Sequence, residues 1–111
     1  KQIGDQAENK VYEHLISTGH KIVARNWRTK YCEIDIVSQF GDNLYFTEVK
    51  YRRSVDHGDG LDAITPKKSK QIRFAADMFL YANNLKDANP VIQVASVSGD
   101  QFTIDHVLDI S

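Results

Sequence analysis

The run EIDIVSQFGDNLYFTEVK, residues 33–50, reads as a β-hairpin. Two stretches rich in β-branched and aromatic residues flank Gly41-Asp42, which predicts strands at about 31–39 and 43–51 closed by a two-residue loop. Phe40 then pairs with Asn43, and the same register opposes Val37 to Phe46, Asp35 to Glu48 and Glu33 to Lys50. Residues two apart share a face, so Glu33, Asp35, Glu48 and Lys50 fall on one side of the ribbon. The other side takes Ile34 with Val49, Ile36 with Thr47 and Ser38 with Tyr45. A four-residue loop keeps this register, whereas a three-residue loop would send Asp35 and Glu48 to opposite faces.

Directly opposed side chains bring their Cβ atoms to about 5 Å. Two ionised carboxylates at that separation repel by roughly 3 kcal/mol at an effective dielectric near 20. A divalent cation between Asp35 and Glu48 would turn that cost into a binding site. All-oxygen donors suit Mg²⁺ or Mn²⁺, and the chain offers no Cys/His set of the kind zinc prefers. Lys50 beside such an ion would polarise a water or hold a phosphate oxygen, a combination suited to phosphodiester hydrolysis. The alternative is a surface ion-pair network, with Glu33 and Lys50 paired and Asp35 in solvent. The residues alone leave both open.

Around the hairpin, Val11, Tyr12, Leu15 and Ile16 recur at helical spacing within residues 4–18, and Gly19 supplies the helix stop. KIVARNW (21–27) reads as a strand, and a loop rich in Asp and Gly spans Ser54 to Gly60. Thr65-Pro66 opens a second helix running to about Asn83, with Ile72, Ala75, Ala76, Phe79 and Leu80 as its apolar stripe. VIQVASV (91–97) is apolar enough for a strand covered on both faces, and Gly99-Asp100 turns into a last strand, FTIDHV. The order helix, three strands, helix, two strands is an α/β layer arrangement with a crossover helix between the third and fourth strands.

With 111 residues, the chain is expected to form one domain spanning 1–111. At 41% hydrophobic and 26% charged residues the composition excludes intrinsic disorder. No run of about 18 apolar residues provides a membrane helix, so no membrane partner is expected. No signal-peptide pattern is present, and the single Cys32 cannot close an internal disulfide, which points to the cytoplasm. The net charge of -1 is unevenly spread: residues 21–73 carry eleven Lys/Arg against seven Asp/Glu (+4), and residues 74–111 one lysine against five aspartates (-4). A basic middle around an acidic cluster suggests an anionic partner such as nucleic acid.

Asp35 followed by Glu48-Val49-Lys50 resembles the D…(D/E)xK signature of the restriction-endonuclease-like (PD-(D/E)xK) nuclease superfamily. The wider pattern resembles the YraN-like family of uncharacterised bacterial proteins, relatives of archaeal Holliday-junction resolvases. It comprises Ala7-Glu8, Leu15, Gly19-His20, Arg25-Asn26-Trp27-Arg28, Cys32 to Val37 against the family's GEIDLI, Phe46 to Arg52 against FVEVKxR, and Pro66-Lys67. The likeness runs from about Gly4 to Val97. It implies an αβββαβ core with a mixed central sheet flanked by helices. It also implies Asp35, Glu48 and Lys50 as catalytic residues, and Glu8, Asp35, Glu48 and Val49 (through its carbonyl) around Mg²⁺ or Mn²⁺. Glu33 is expected to adjust Lys50 or to bind a second ion. On periodicity alone Glu8 is a solvated helix residue. The chain departs from the family where Val91-Ile92-Gln93 replaces RFD, and where Ala7 and Cys32 replace glycines.

Lys67, Lys68, Lys70 and Arg73 crowd the start of the second helix, where cations oppose the helix dipole; phosphate contacts would explain them. Arg25, Arg28, Lys30, Arg52 and Arg53 extend the set, although each alone is commonly a solvated residue. Trp27, Tyr31 and Tyr51 are candidates for stacking on unpaired bases, with core burial the competing role for Trp27. His57 lies in the loop at 54–60. The expected activity is metal-dependent endonucleolytic cleavage of DNA, including branched DNA. The alternative is a nucleic-acid-binding module of the same fold without turnover, motivated by Val91-Ile92-Gln93. A purely structural charged hairpin is the third reading. Resolvase-like proteins commonly pair, so the resemblance also implies a homodimer.

Overall fold

The computed structural model describes residues 2–53 and 65–111, with side chains from residue 5 onward. His57 and the loop expected at 54–60 lie outside the described residues. The elements are α1 (Gln2–Ser17), β1 (Lys21–Arg28), β2 (Glu33–Phe40), β3 (Asn43–Arg52), α2 (Pro66–Ala82), β4 (Asn89–Ser98) and β5 (Thr103–Asp109). Their order and type match the sequence expectation.

Helix ends follow local chemistry. Gly19 at φ 98° closes α1, with His20 N–H donating to the Leu15 carbonyl at 2.9 Å and Gly19 N–H to Ile16 at 3.1 Å. The Thr65 hydroxyl caps α2 by accepting Lys68 N–H at 3.1 Å, and Pro66 occupies the first turn, where its missing donor costs nothing. Asn84 at φ 56° closes α2 as Gly19 closes α1, with Leu85 N–H reaching the Leu80 carbonyl at 2.8 Å.

The five strands form one sheet in the order β1-β2-β3-β4-β5. Strands β3 and β4 run parallel and the remaining neighbours antiparallel. A parallel pair needs a long crossover, and α2 lies within it. One face of the sheet packs under α1, where Ala7, Val11 and Leu15 meet Ile36, Ala95 and Val97. The other packs under α2, where Ile72, Ala76 and Phe79 meet Val37, Phe46, Ile92 and Val94. Covered on both sides, β4 is buried from Ile92 to Ser98, the polar Gln93, Ser96 and Ser98 included. This is a mixed α/β fold with a restriction-endonuclease-like αβββαβ core, extended at one edge by β5.

Candidate metal and nucleic-acid site

The β2–β3 ladder follows the expected register from Phe40–Asn43 to Ile36–Thr47 and ends there. Asp35 and Glu48 are therefore not a ladder pair, and neither are Glu33 and Lys50. The β1–β2 pairing is interrupted at the same level, although its register is unchanged across the gap. Asn26 adopts φ 53°, and the β1–β2 pairing passes from Arg25–Ile36 to Trp27–Ile34 without a 26–35 pair. Across that step alternation is lost: Ile36 packs under α1, whereas Ile34 joins the α2 core with Val37. The expectation that Ile34 and Ile36 share a face is corrected accordingly.

The step turns Asp35 into the seam between β2 and β3. Its Oδ2 accepts Val49 N–H at 2.8 Å, so a side chain takes the place of a ladder carbonyl. From there Asp35 lines a cleft of about 860 Å³ on the α2 side together with Glu48, and a second cavity on the α1 side together with Glu8. Glu33 borders both. Burial pushes the Asp35 carboxyl up to about 6; the Val49 amide pulls it back, and the charges of Glu48, Glu8 and Glu33 push it further. The acids are thus gathered around one half-buried carboxylate, from both faces of the sheet rather than from one.

Each neighbouring acid has its own cation. Arg25 Nε donates to Glu8 Oε1 at 2.7 Å, its other arm reaches Asn9, and its guanidinium lies 4.8 Å over the Tyr12 ring. Glu48 Oε2 lies 3.4 Å from Lys50 Nζ and 3.0 Å from Lys68 Nζ, the latter from the first turn of α2. Glu33 pairs loosely with Arg28 at 3.7 Å in the open, an arrangement worth little. No cation lies within ion-pair distance of Asp35 among the described residues.

Among the described residues no three His, Cys, Asp or Glu side chains are assembled as a cage for an ion. The donor chemistry nevertheless fits a hard divalent cation. Asp35 is a half-buried carboxylate without a counter-ion among the described residues, and one of its oxygens is not taken by Val49. Glu48 and Glu8 would have to give up Lys50, Lys68 and Arg25 to join it.

The basic residues divide. Lys67, Lys68 and Lys70 line the cleft, and Lys70 continues with Arg73 into the neighbouring hollow. Lys68 is engaged by Glu48, a link that sequence spacing does not show because it joins α2 to β3. Arg25, named from sequence as a phosphate contact, pairs with Glu8 and stays partly exposed. Arg53 borders a different cavity, with Tyr51 and Phe102, and Arg52 Nε is buried without a hydrogen-bond partner among the described residues. At the position of the family's missing RFD, Gln93 Nε2 donates to Thr47 Oγ1 at 3.0 Å, a neutral buried pair adjoining Glu48 in the chain.

Fold and site together define a restriction-endonuclease-like α/β protein with an acidic seam facing a lysine-lined cleft. The sequence profile of the uncharacterised protein family UPF0102 matches residues 7–107, and the chain belongs to that family, the YraN-like family whose motifs it carries. It is 33% identical to a UPF0102 protein of Chlorobium limicola over 115 residues, covering 96% of this chain and 89% of that one. A Clostridium novyi relative is 33% identical, covering 98% and 91% of the two chains, and a Parafrankia relative 42% identical, covering 72% and 68%.

Proposed function

We propose that this chain is a metal-dependent, nuclease-like protein acting on DNA, including branched DNA, by phosphodiester hydrolysis. Asp35 carries the reading: a carboxylate turned into a strand seam, without a counter-ion among the described residues, in the field of three further acids and bordering a lysine-lined cleft. No stabilising role explains burying that charge. The likeness of its motifs to the D…(D/E)xK superfamily and to archaeal Holliday-junction resolvases supports the same reading.

Asp35 and Glu48, with Glu8 and the Val49 carbonyl as further donors, would hold Mg²⁺ or Mn²⁺. When bound, such an ion lowers the pKa of water and offsets charge developing on phosphorus. Lys50, beside Glu48, orients the attacking water, and Glu33 sets the field around the seam. Lys67, Lys70 and Arg73 hold backbone phosphates across the cleft. The test is a Mn²⁺-dependent cleavage assay on linear, flapped and four-way DNA, with Asp35→Asn as control. Nicking by the wild type that is lost in Asp35→Asn is expected; no nicking on any substrate would refute catalysis.

A second reading, DNA binding without turnover, is favoured by the neutral Gln93–Thr47 pair and by the two lysines already spanning Glu48. It expects salt-sensitive DNA binding with no Mn²⁺-dependent product.

A further inference from the structure

Of the three aromatic residues that sequence nominates for stacking, two are used inside the fold. Trp27 packs edge-on against Phe79 of α2 with ring centroids 5.2 Å apart. Tyr51 donates its hydroxyl to the Gly99 carbonyl at 3.0 Å and lies against Phe102. Tyr31 is different. It is 72% exposed at the rim of the cleft that Asp35 lines. The β1–β2 turn presenting it is tightly held: Thr29 N–H donates to the Cys32 carbonyl at 2.8 Å, and the Thr29 hydroxyl accepts Tyr31 N–H at 3.1 Å and Cys32 N–H at 3.3 Å. Lys30 Nζ sits 5.7 Å from the Tyr31 ring.

A second ring borders the same cleft from α2. Phe74 is 49% exposed, one and two helical turns beyond Lys70 and Lys67 and on their face. Neither Lys67 nor Lys70 has a carboxylate within ion-pair distance among the described residues. Two solvated rings interleaved with cations gain little from the fold. They match a ligand with a flat apolar face and a negative backbone, which is an unpaired stretch of nucleic acid; in a duplex the base faces are already stacked. The cations would repel a second copy of the same patch, which argues against self-association as the reason for the exposed rings.

We infer that the cleft receives a single-stranded segment, with Tyr31 and Phe74 as stacking platforms and Lys30, Lys67 and Lys70 on its phosphates. This rests on the nucleic-acid reading of the site but not on cleavage or on metal. It assigns the unpaired arm of a branched or flapped substrate to the α2 side of the sheet.

The test is fluorescence anisotropy in EDTA, using a labelled oligothymidylate and a duplex of equal length, with sedimentation and melting checks on each variant. Tyr31→Ala and Phe74→Ala should each weaken single-strand binding by roughly 5- to 150-fold while duplex affinity changes less than twofold. Tyr31→Phe should restore binding to within twofold of wild type. Lys67→Ala should weaken both ligands and flatten their salt dependence by about one counter-ion. Equal losses on both ligands, no loss on either, or a wild-type dimer that the ring variants dissolve would each overturn the assignment. If single-strand selectivity holds while Mn²⁺ gives no cleavage, only catalysis fails. If Mn²⁺-dependent cleavage of flapped DNA is indifferent to both rings, only the stacking assignment fails.

Discussion

Replacing Asp35 by Asn should make the protein more stable at neutral pH. The carboxyl is pushed from 3.8 to about 6, first by burial and then by Glu48, Glu8 and Glu33, with the Val49 amide opposing. Each pKa unit corresponds to about 1.36 kcal/mol, so the ionised group costs the fold at most roughly 3 kcal/mol, and about 2 kcal/mol once partial solvation is allowed for. The unfolded chain loses this proton near 3.8 and the folded chain near 6. Between those values the native state holds more protons, so stability falls as pH rises through about 4 to 6 and the cost is constant above. Asparagine keeps an oxygen for Val49 N–H while removing the charge. Thermal unfolding followed by circular dichroism in EDTA is the assay. At pH 7.5 the variant should melt roughly 10 °C above wild type, and the gap should close toward pH 4. An equal or lower melting point at pH 7.5, or a gap that ignores pH, would refute the claim that Asp35 is held ionised at a cost.

Three further outcomes follow from the same geometry. Lys50→Ala should retain Mn²⁺ binding, read by calorimetry, while cleavage falls by about 10²-fold or more. Arg25→Ala should lower stability by about 2 kcal/mol in a denaturant titration, because Glu8 is left buried without its partner; duplex DNA affinity should change less than twofold, since the guanidinium is already committed. Thr65→Ala removes the oxygen that accepts Lys68 N–H at 3.1 Å and should cost about 1 kcal/mol, lowering the melting point by roughly 5 °C.

Much of the architecture was legible because the sequence repeats its message at several levels. The stripe from Ile72 to Leu80, the Thr65-Pro66 start and Gly19 each specify a helix feature by local chemistry, and the structure carries them there. Gly41, at φ 61°, closes the hairpin in the expected two-residue loop and so fixes Phe40–Asn43. The seam was not legible. Alternation assumes an unbroken pleat, and β2 breaks it between Ile34 and Ile36, opposite Asn26 at positive φ and at the place that decides where Asp35 points. Asparagine is a residue that tolerates that conformation, but nothing local demands it. Glu8 could be nominated only by resemblance, because its burial depends on α1 docking against the sheet near Arg25. The pairing of Lys68 with Glu48 and the place of Phe74 were equally opaque: which face of α2 overlooks Asp35 is a tertiary matter, and the helix stripe locates only the side that is buried.

The most direct measurement of the central claim is calorimetric titration of Mn²⁺ into the wild-type protein and into Asp35→Asn at pH 7.5. Saturable heat for one ion in the wild type, absent from the variant and retained in Lys50→Ala, is the expected result. No heat in the wild type, or the same heat after Asp35 has lost its charge, would contradict an ion held in the β2–β3 seam.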